Sequence, residues 1–325
     1  GRGFELWQPQ DKVLVTAGET LTLNCTTTSS GPVGPVKWLR GWGAGNETVY
    51  TQKGLFPRVT RVVAQSNTDF SIRIGDVQPE DAGTYYCVKF GKQLHGESNE
   101  VLRRGKGTEV SVHAEPTPPV VSGPRHRVGP GQPVSVTCTA GGFFPKDISV
   151  KWLKGRDAIS AQQPQISPGR TKSSFNMSST VTMTLQEDDV CSQLVCEVQH
   201  PTLTAPRRDT YQLSKALRVS PHVHVVTDPP RPAELNKTVT FTCHVDGFYP
   251  RDVVVTWLEN KMEMEVQNTS QPAKTPRGLF ELRSVVEVKA TEENNGSMFT
   301  CRVVHDAQDP VSETATLRIA VPARE

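Results

Sequence analysis

Apolar and polar residues alternate in short runs along the chain. In LTLNC, Leu21, Leu23 and Cys25 alternate with Thr22 and Asn24, and in FSIRI, Phe70, Ile72 and Ile74 alternate with Ser71 and Arg73. Runs of period two, bounded by clusters of Gly, Pro, Asn and Asp, predict strands with one face buried and the other solvated. No apolar run approaches the roughly 20 residues that cross a bilayer as a helix.

The cysteines organise these strands into units. CTAGGFFPKDISVKW begins at Cys138 and CHVDGFYPRDVVVTW at Cys243, an offset of 105 that also relates CEVQH at Cys196 to CRVVH at Cys301. One constant offset means two copies of one domain. The first third has the same skeleton in different residues. Trp38 follows Cys25 by 13 and Cys87 follows it by 62, against 14 and 58 in both repeats. Such Cys…Trp…Cys spacing marks an immunoglobulin sandwich, whose bridge joins two sheets beneath the Trp. The expected bridges are Cys25–Cys87, Cys138–Cys196 and Cys243–Cys301, each closing about 60 residues and worth roughly 4 kcal/mol in the chain-entropy model.

The predicted fold class is all-β: three tandem immunoglobulin-like β-sandwich domains, one variable-type (1–114) and two constant-type (115–219 and 220–325). DVQPEDAGTYYC puts Tyr85 where a tyrosine corner belongs, two residues before Cys87, whereas Leu194 and Phe299 hold that place in the repeats. The longer first Cys–Cys interval leaves room for the two extra strands of a variable domain. HAEPTPPVVSGP and RVSPHVHVVTDPP form short, Pro-rich junctions, which predict a semi-rigid rod.

At 325 residues the chain can bury two or three cores. Its net charge of +2 divides as +2, +4 and −4 among residues 1–114, 115–218 and 219–325, far from the basic stripe of a nucleic-acid binder. Three regular cysteine pairs imply an oxidising compartment. The N-terminus, GRGFELWQPQ, has no signal-peptide core, so the chain reads as either cytosolic or a processed or engineered piece of a secreted protein. Six sequons fit the secreted reading. Asn46, Asn176, Asn236, Asn268 and Asn295 are the expected glycan acceptors, and Asn24, beside a cysteine in a strand, is the least expected.

Catalytic chemistry is not in evidence. His222 and His224 share a strand face, but no Cys, Asp or Glu stands at metal-ligand spacing around them. Gly105-Lys106-Gly107-Thr108 lacks the spacing of a phosphate loop, and there is no G-x-S-x-G elbow. No enzyme, cofactor, metal or nucleic-acid role is expected. Arg58 and Asp81 read as a structural ion pair across the base of the first sandwich. Cys191, the odd cysteine, is either a half-buried free thiol or an inter-chain bridge forming a homodimer.

With these residues in hand, the chain resembles the extracellular region of the signal-regulatory protein family, of the alpha, tyrosine-phosphatase-substrate type. VLVTAGET, PVGPVKWLRG, DFSIRIGDVQPEDAGTYYCVKF and GKGTEVSVHAEPTPPVVSGP carry the resemblance, which covers essentially the whole chain. It implies a single-pass cell-surface receptor that binds integrin-associated protein on another cell. A cytoplasmic tail, absent here, would recruit tyrosine phosphatases for inhibitory signalling. Other members have a different ligand or lack the inhibitory tail. A rearranged antigen-receptor chain is the alternative, but Arg104 stands before Gly105 where such chains carry an aromatic residue.

By the same resemblance, four loops should form the contact: 29–35, 52–55, 65–68 and 89–99. The expected ligand-binding residues are Ser30, Gly31, Gln52, Lys53, Gly54, Ser66, Asn67, Lys89, Lys92, Leu94 and Glu97. Gln52, Lys53 and Lys89 match the family's contact residues directly. Gly54 stands where an acidic residue is common, and Ser30 and Gly31 replace an apolar tip. Leu94 is then either a substitute anchor or folded back on its own loop. Trp7 and Trp42 are read as local packing rather than contacts.

Overall fold

The computed structural model describes residues 3–92, 99–170, 173–265 and 268–320, and in it the alternating runs are strands of three successive sandwiches. The first contains β1 (Leu6–Trp7), β2 (Lys12–Thr16), β3 (Leu21–Leu23), β4 (Thr26–Thr27), β5 (Val36–Arg40), β6 (Glu47–Tyr50), β7 (Val59–Arg61), β8 (Ile72–Ile74), β9 (Gly83–Lys92), β10 (Asn99–Arg104) and β11 (Thr108–His113). The front sheet runs β2-β11-β9-β5-β6, with β10 also on β9; the facing sheet is β3-β8-β7. Leu21, Leu23, Ile72 and Ile74 point inward at 0–2% exposure and pack on Trp38 and the Cys25–Cys87 bridge. Each such burial contributes about 1.5–3 kcal/mol.

Of the two extra strands the first Cys–Cys interval leaves room for, one forms. It is β6; residues 51–58, TQKGLFPR, are turns and irregular chain. Pro57 has no N–H to give to a ladder, which disfavours a strand there.

The second domain packs the sheet Val120–Ser122, Pro133–Phe143, Phe175–Thr184, Gln165–Pro168 against Asp157–Ile159, Ser149–Lys154, Gln193–Gln199, Arg207–Gln212. The third repeats this arrangement, and the 105-residue offset acquires its chemistry. Trp152 Nε1 donates to Ser179 Oγ at 2.8 Å and Trp257 Nε1 to Ser284 Oγ at 2.9 Å. The recurring His of CEVQH and CRVVH is structural: a ring nitrogen of His200 bonds Pro145 O at 2.7 Å and one of His305 bonds Pro250 O at 2.8 Å. All three bridges join Cys25–Cys87, Cys138–Cys196 and Cys243–Cys301.

At the base of the first sandwich, Arg58 grips Asp81 through two hydrogen bonds of 2.8 and 2.9 Å, and the Tyr85 hydroxyl donates to Asp81 O at 2.5 Å. The second domain keeps the device as Lys154–Asp189 at 2.7 Å. In the third, Asn294 replaces the carboxylate and accepts from Thr291 N at 2.8 Å. The G-K-G turn between β10 and β11 also has a steric reason. Buried Gln8 threads its amide between Tyr85 O and Thr108 Oγ1, at 2.7 and 2.9 Å. A side chain at position 105 would strike that amide.

The junctions are homologous but unequal. Ala114 and Phe144 exchange backbone hydrogen bonds across the first, as Val219 and Tyr249 do across the second. The second adds an Arg218–Asp306 ion pair at 2.7 Å and inserts Leu279 of the third domain, 6% exposed, into the core of the second. Leu279→Ala should therefore cost about 2–3 kcal/mol and separate the thermal transitions of the second and third domains in calorimetry. One unchanged cooperative transition would show that Leu279 does not couple them. Cys191 is an exposed free thiol at this junction, 3.4 Å from the Arg277 carbonyl.

Candidate recognition surface

Strand direction decides which loops meet. β5 starts where β9 and β6 finish, since Val36 pairs with Lys89 and Trp38 with Tyr50. In the facing sheet β3 runs toward that end and β8 away from it, and Thr27 N bonds Thr68 O at 2.7 Å. Residues 28–35, 51–54 and 62–69 consequently gather at one end, where β9 finishes and β10 begins. A rigid sandwich holding irregular loops is the usual basis of recognition by such folds.

Loop 28–35 is clamped from within. Lys89, placed on β9 at 3% exposure, donates from Nζ to Gly34 O at 2.7 Å and to Ser30 O at 3.3 Å. Its ammonium lies 5.6 Å from the centroid of the Phe4 ring. Burial pushes the Lys89 pKa down from its ordinary value. Expected as a direct contact, Lys89 instead has its charge turned inward onto the loop carbonyls. Gly31 adopts φ +65°, and a Cβ there would meet the Phe4 ring, so this tip tolerates little but glycine. Ser30 is exposed at that tip.

Gln52, Lys53 and Gly54 are exposed on the turn after β6, beside Leu55 at 96% exposure. In the third loop Arg61 donates to Ser66 O and Asp69 O, both at 2.6 Å, with its guanidinium 4.8 Å from the Phe70 ring. Ser66 Oγ accepts from Asp69 N at 2.9 Å, so Ser66 shapes the turn while Asn67 is exposed on it. Leu94 and Glu97 lie outside the described residues, as does the side chain of Lys92.

Two side chains at this end, Phe4 and Val33, were not anticipated. Phe4 belongs to an N-terminal segment strapped to the loop by Thr28, whose Oγ1 donates to Gly3 O at 2.6 Å and accepts from Glu5 N at 2.9 Å. Val33 is an exposed apolar residue, 75%, on the loop whose Ser30 and Gly31 tip lacks an anchor, whereas Leu55, 96% exposed, lies where the chain descends toward the base and lines a groove with Glu47, Arg58 and Asp81. Their only sequence signal is an apolar letter inside a Gly/Pro-containing run without strand periodicity.

The outer face of the front sheet is closed in a different way. Arg104 lies 4.7 Å from the Trp42 centroid and 5.0 Å from that of Tyr86, and Lys37 lies 5.2 Å from Phe90. These cations cover the aromatic rings that a pairing chain would need. Trp42 packs on Tyr86 under Arg104 but stays 45% exposed, and Trp7 is 66% exposed. His224 stacks on His244 at 4.7 Å, and no group of three metal-ligating side chains occurs among the described residues.

Comparison with known proteins supports this architecture. The immunoglobulin V-set family profile matches residues 8–113, and the C1-set profile matches 120–203 and 223–308. The chain is 42% identical over 99% of its length to bovine tyrosine-protein phosphatase non-receptor type substrate 1, and 43% identical over 99% to human signal-regulatory protein beta-1. It spans 64% of the former and 81% of the latter. The mouse nectin-like molecule 4 ectodomain superimposes with a TM-score of 0.51 at 16% identity, covering 97% of this chain and 99% of its own, which is a likeness of fold.

Proposed function

We propose a function from one premise: the chain belongs to the signal-regulatory protein family, a family of immunoglobulin-superfamily receptors. The proposal is that it is the extracellular part of a cell-surface receptor whose loop end binds integrin-associated protein on an opposing cell. In the full-length protein a membrane helix and a tail recruiting tyrosine phosphatases would complete an inhibitory receptor. The observation that carries the reading is that Gln52, Lys53 and Val33, all exposed, stand on loops of one end, where Lys89 and Arg61 brace their neighbours from beneath. An antigen-receptor role is disfavoured by Arg104 and Lys37, because pairing would bury both charges.

The expected energetics are those of a small interface. One apolar anchor, Val33, would supply much of the affinity, and Lys53 would speed encounter with an acidic partner surface. In a titration of the chain against the integrin-associated protein ectodomain, Val33→Ala should weaken binding about tenfold and Lys53→Ala about threefold to fivefold. The Lys53 effect should fall mainly on the association rate and shrink with added salt. Unchanged affinity in both variants would remove the 28–35 loop and the loop after β6 from the contact.

A further inference from the structure

Trp7 and Asn24 meet on a face that recognition does not use. In β1, Leu6 packs against the core and Trp7 turns outward, directly opposite Thr26 in the β1–β4 register. Along β3, β4 and the two-residue break between them, Leu23, Cys25 and Thr27 are buried, leaving half-buried Asn24, in the break, and Thr26 at the alternate positions. Carrying the alternation back from Thr26 puts Asn24 diagonal to Trp7, about 7–8 Å away at the backbone and within reach of a large ring.

The backbone around Asn24 is fully engaged while its side chain is not. Gln10 Oε1 accepts from Asn24 N at 2.8 Å and Gln10 Nε2 donates to Thr22 O at 3.1 Å. The Asn24 carboxamide has no hydrogen-bond partner among the described residues, and it is not sealed from solvent. Asn24-Cys25-Thr26 is an N-x-T sequon. Cys25 pairs with Cys87, 62 residues downstream, so its strand remains extended and unbridged while the sequon enters the secretory lumen.

We infer that Asn24 carries an N-linked glycan whose first N-acetylglucosamine stacks on the indole of Trp7. In the transfer, Asn24 Nδ2 bonds to C1 of a lipid-pyrophosphate-linked oligosaccharide. The C1–O bond to pyrophosphate breaks, the lipid pyrophosphate leaves, and one amide proton passes to solvent. The sugar's C–H face then covers an indole that is otherwise 66% exposed, while its polar edge stays in water. The other strand sequons have no such platform: Asn176 lies opposite Ser167 and Asn268 opposite Val285. The glycan shields the outer side of the facing sheet and leaves the loop end open.

The test uses the whole chain secreted from glycosylating cells, deglycosylated by amidase in heavy-oxygen water and digested with trypsin. The peptide 13–37 contains Asn24 as its single sequon. Most of it should carry heavy-oxygen aspartate at position 24, and an unmodified asparagine there overturns the inference. The platform is tested separately by thermal melting. Trp7→Ala should lower the first domain's melting temperature by about 4 °C when Asn24 is glycosylated and leave it nearly unchanged in an Asn24→Gln background. An equal drop in both backgrounds would assign Trp7 to protein packing and overturn the stacking.

Discussion

Replacing Asp81 with Ala is expected to lower the melting temperature of the first domain by more than about 10 °C, a loss near 3 kcal/mol. Burial by itself would push the Asp81 carboxyl up. The Arg58 hydrogen bonds, the Gln78 N–H and the charges of Arg58 and Arg40 outweigh burial and hold it below its ordinary value of 3.8. The same side chain caps Gln78 N at 2.8 Å, and its carbonyl receives the corner hydroxyl of Tyr85, whose own pKa burial raises to about 12. Removing the carboxylate leaves Arg58 without a counter-charge, while Arg40 keeps only its ion pair with Glu47. Arg58→Ala should cost less, about 1 kcal/mol, because the guanidinium is 46% exposed and water replaces part of what it loses.

The pH dependence follows from the direction of the shift. A carboxylate whose folded pKa lies below its unfolded value binds fewer protons folded than unfolded, so its stabilisation is complete well above 3.8 and disappears as pH falls through the folded pKa. The stability gap between wild type and Asp81→Asn should therefore be constant near neutrality and narrow below about pH 4. Melting curves across that range check it; a gap that does not begin to narrow as pH falls below 3.8 would mean that the charge is not the source.

Lys89→Ala should weaken ligand binding about thirtyfold, although only 3% of Lys89 is exposed. Its ammonium is the positive centre on which the Gly34 and Ser30 carbonyls converge, and without it the loop loses two charge-assisted hydrogen bonds and the cation beneath Phe4. The cost should appear as faster hydrogen exchange of residues 28–35 in the unliganded chain, which a surface contact would not produce. Lys89→Arg should recover part of both properties. Weak binding with unaltered exchange would make Lys89 a direct contact after all.

The parts of this fold legible in the sequence are those set by covalent spacing and strand alternation. The 105-residue offset, the Cys…Trp…Cys intervals and the Asp81–Tyr85 motif each act over one domain and leave a regular trace. The recognition end was legible as a set of loops, but not in its details. A polar letter in a period-two strand reads as outward, and Lys89 is buried because Gly34, Ser30 and Phe4 from distant segments close over it. Val33 and Leu55 sit in runs without period, where nothing local decides burial. Leu279 escaped because its core belongs to the preceding domain, a contact that a repeat within one domain does not encode. Asn24 looked unsuitable as an acceptor beside a cysteine, until the register placed it on the open face with Trp7.

The most direct measurement is hydrogen exchange of the whole chain with and without saturating integrin-associated protein ectodomain. Protection confined to residues 28–35, 51–54 and 62–69, together with the connection from β9 to β10, is the expected result. Protection centred instead on the front sheet around Trp42, Tyr86 and Arg104, or on the second and third domains, would contradict recognition through the loop end.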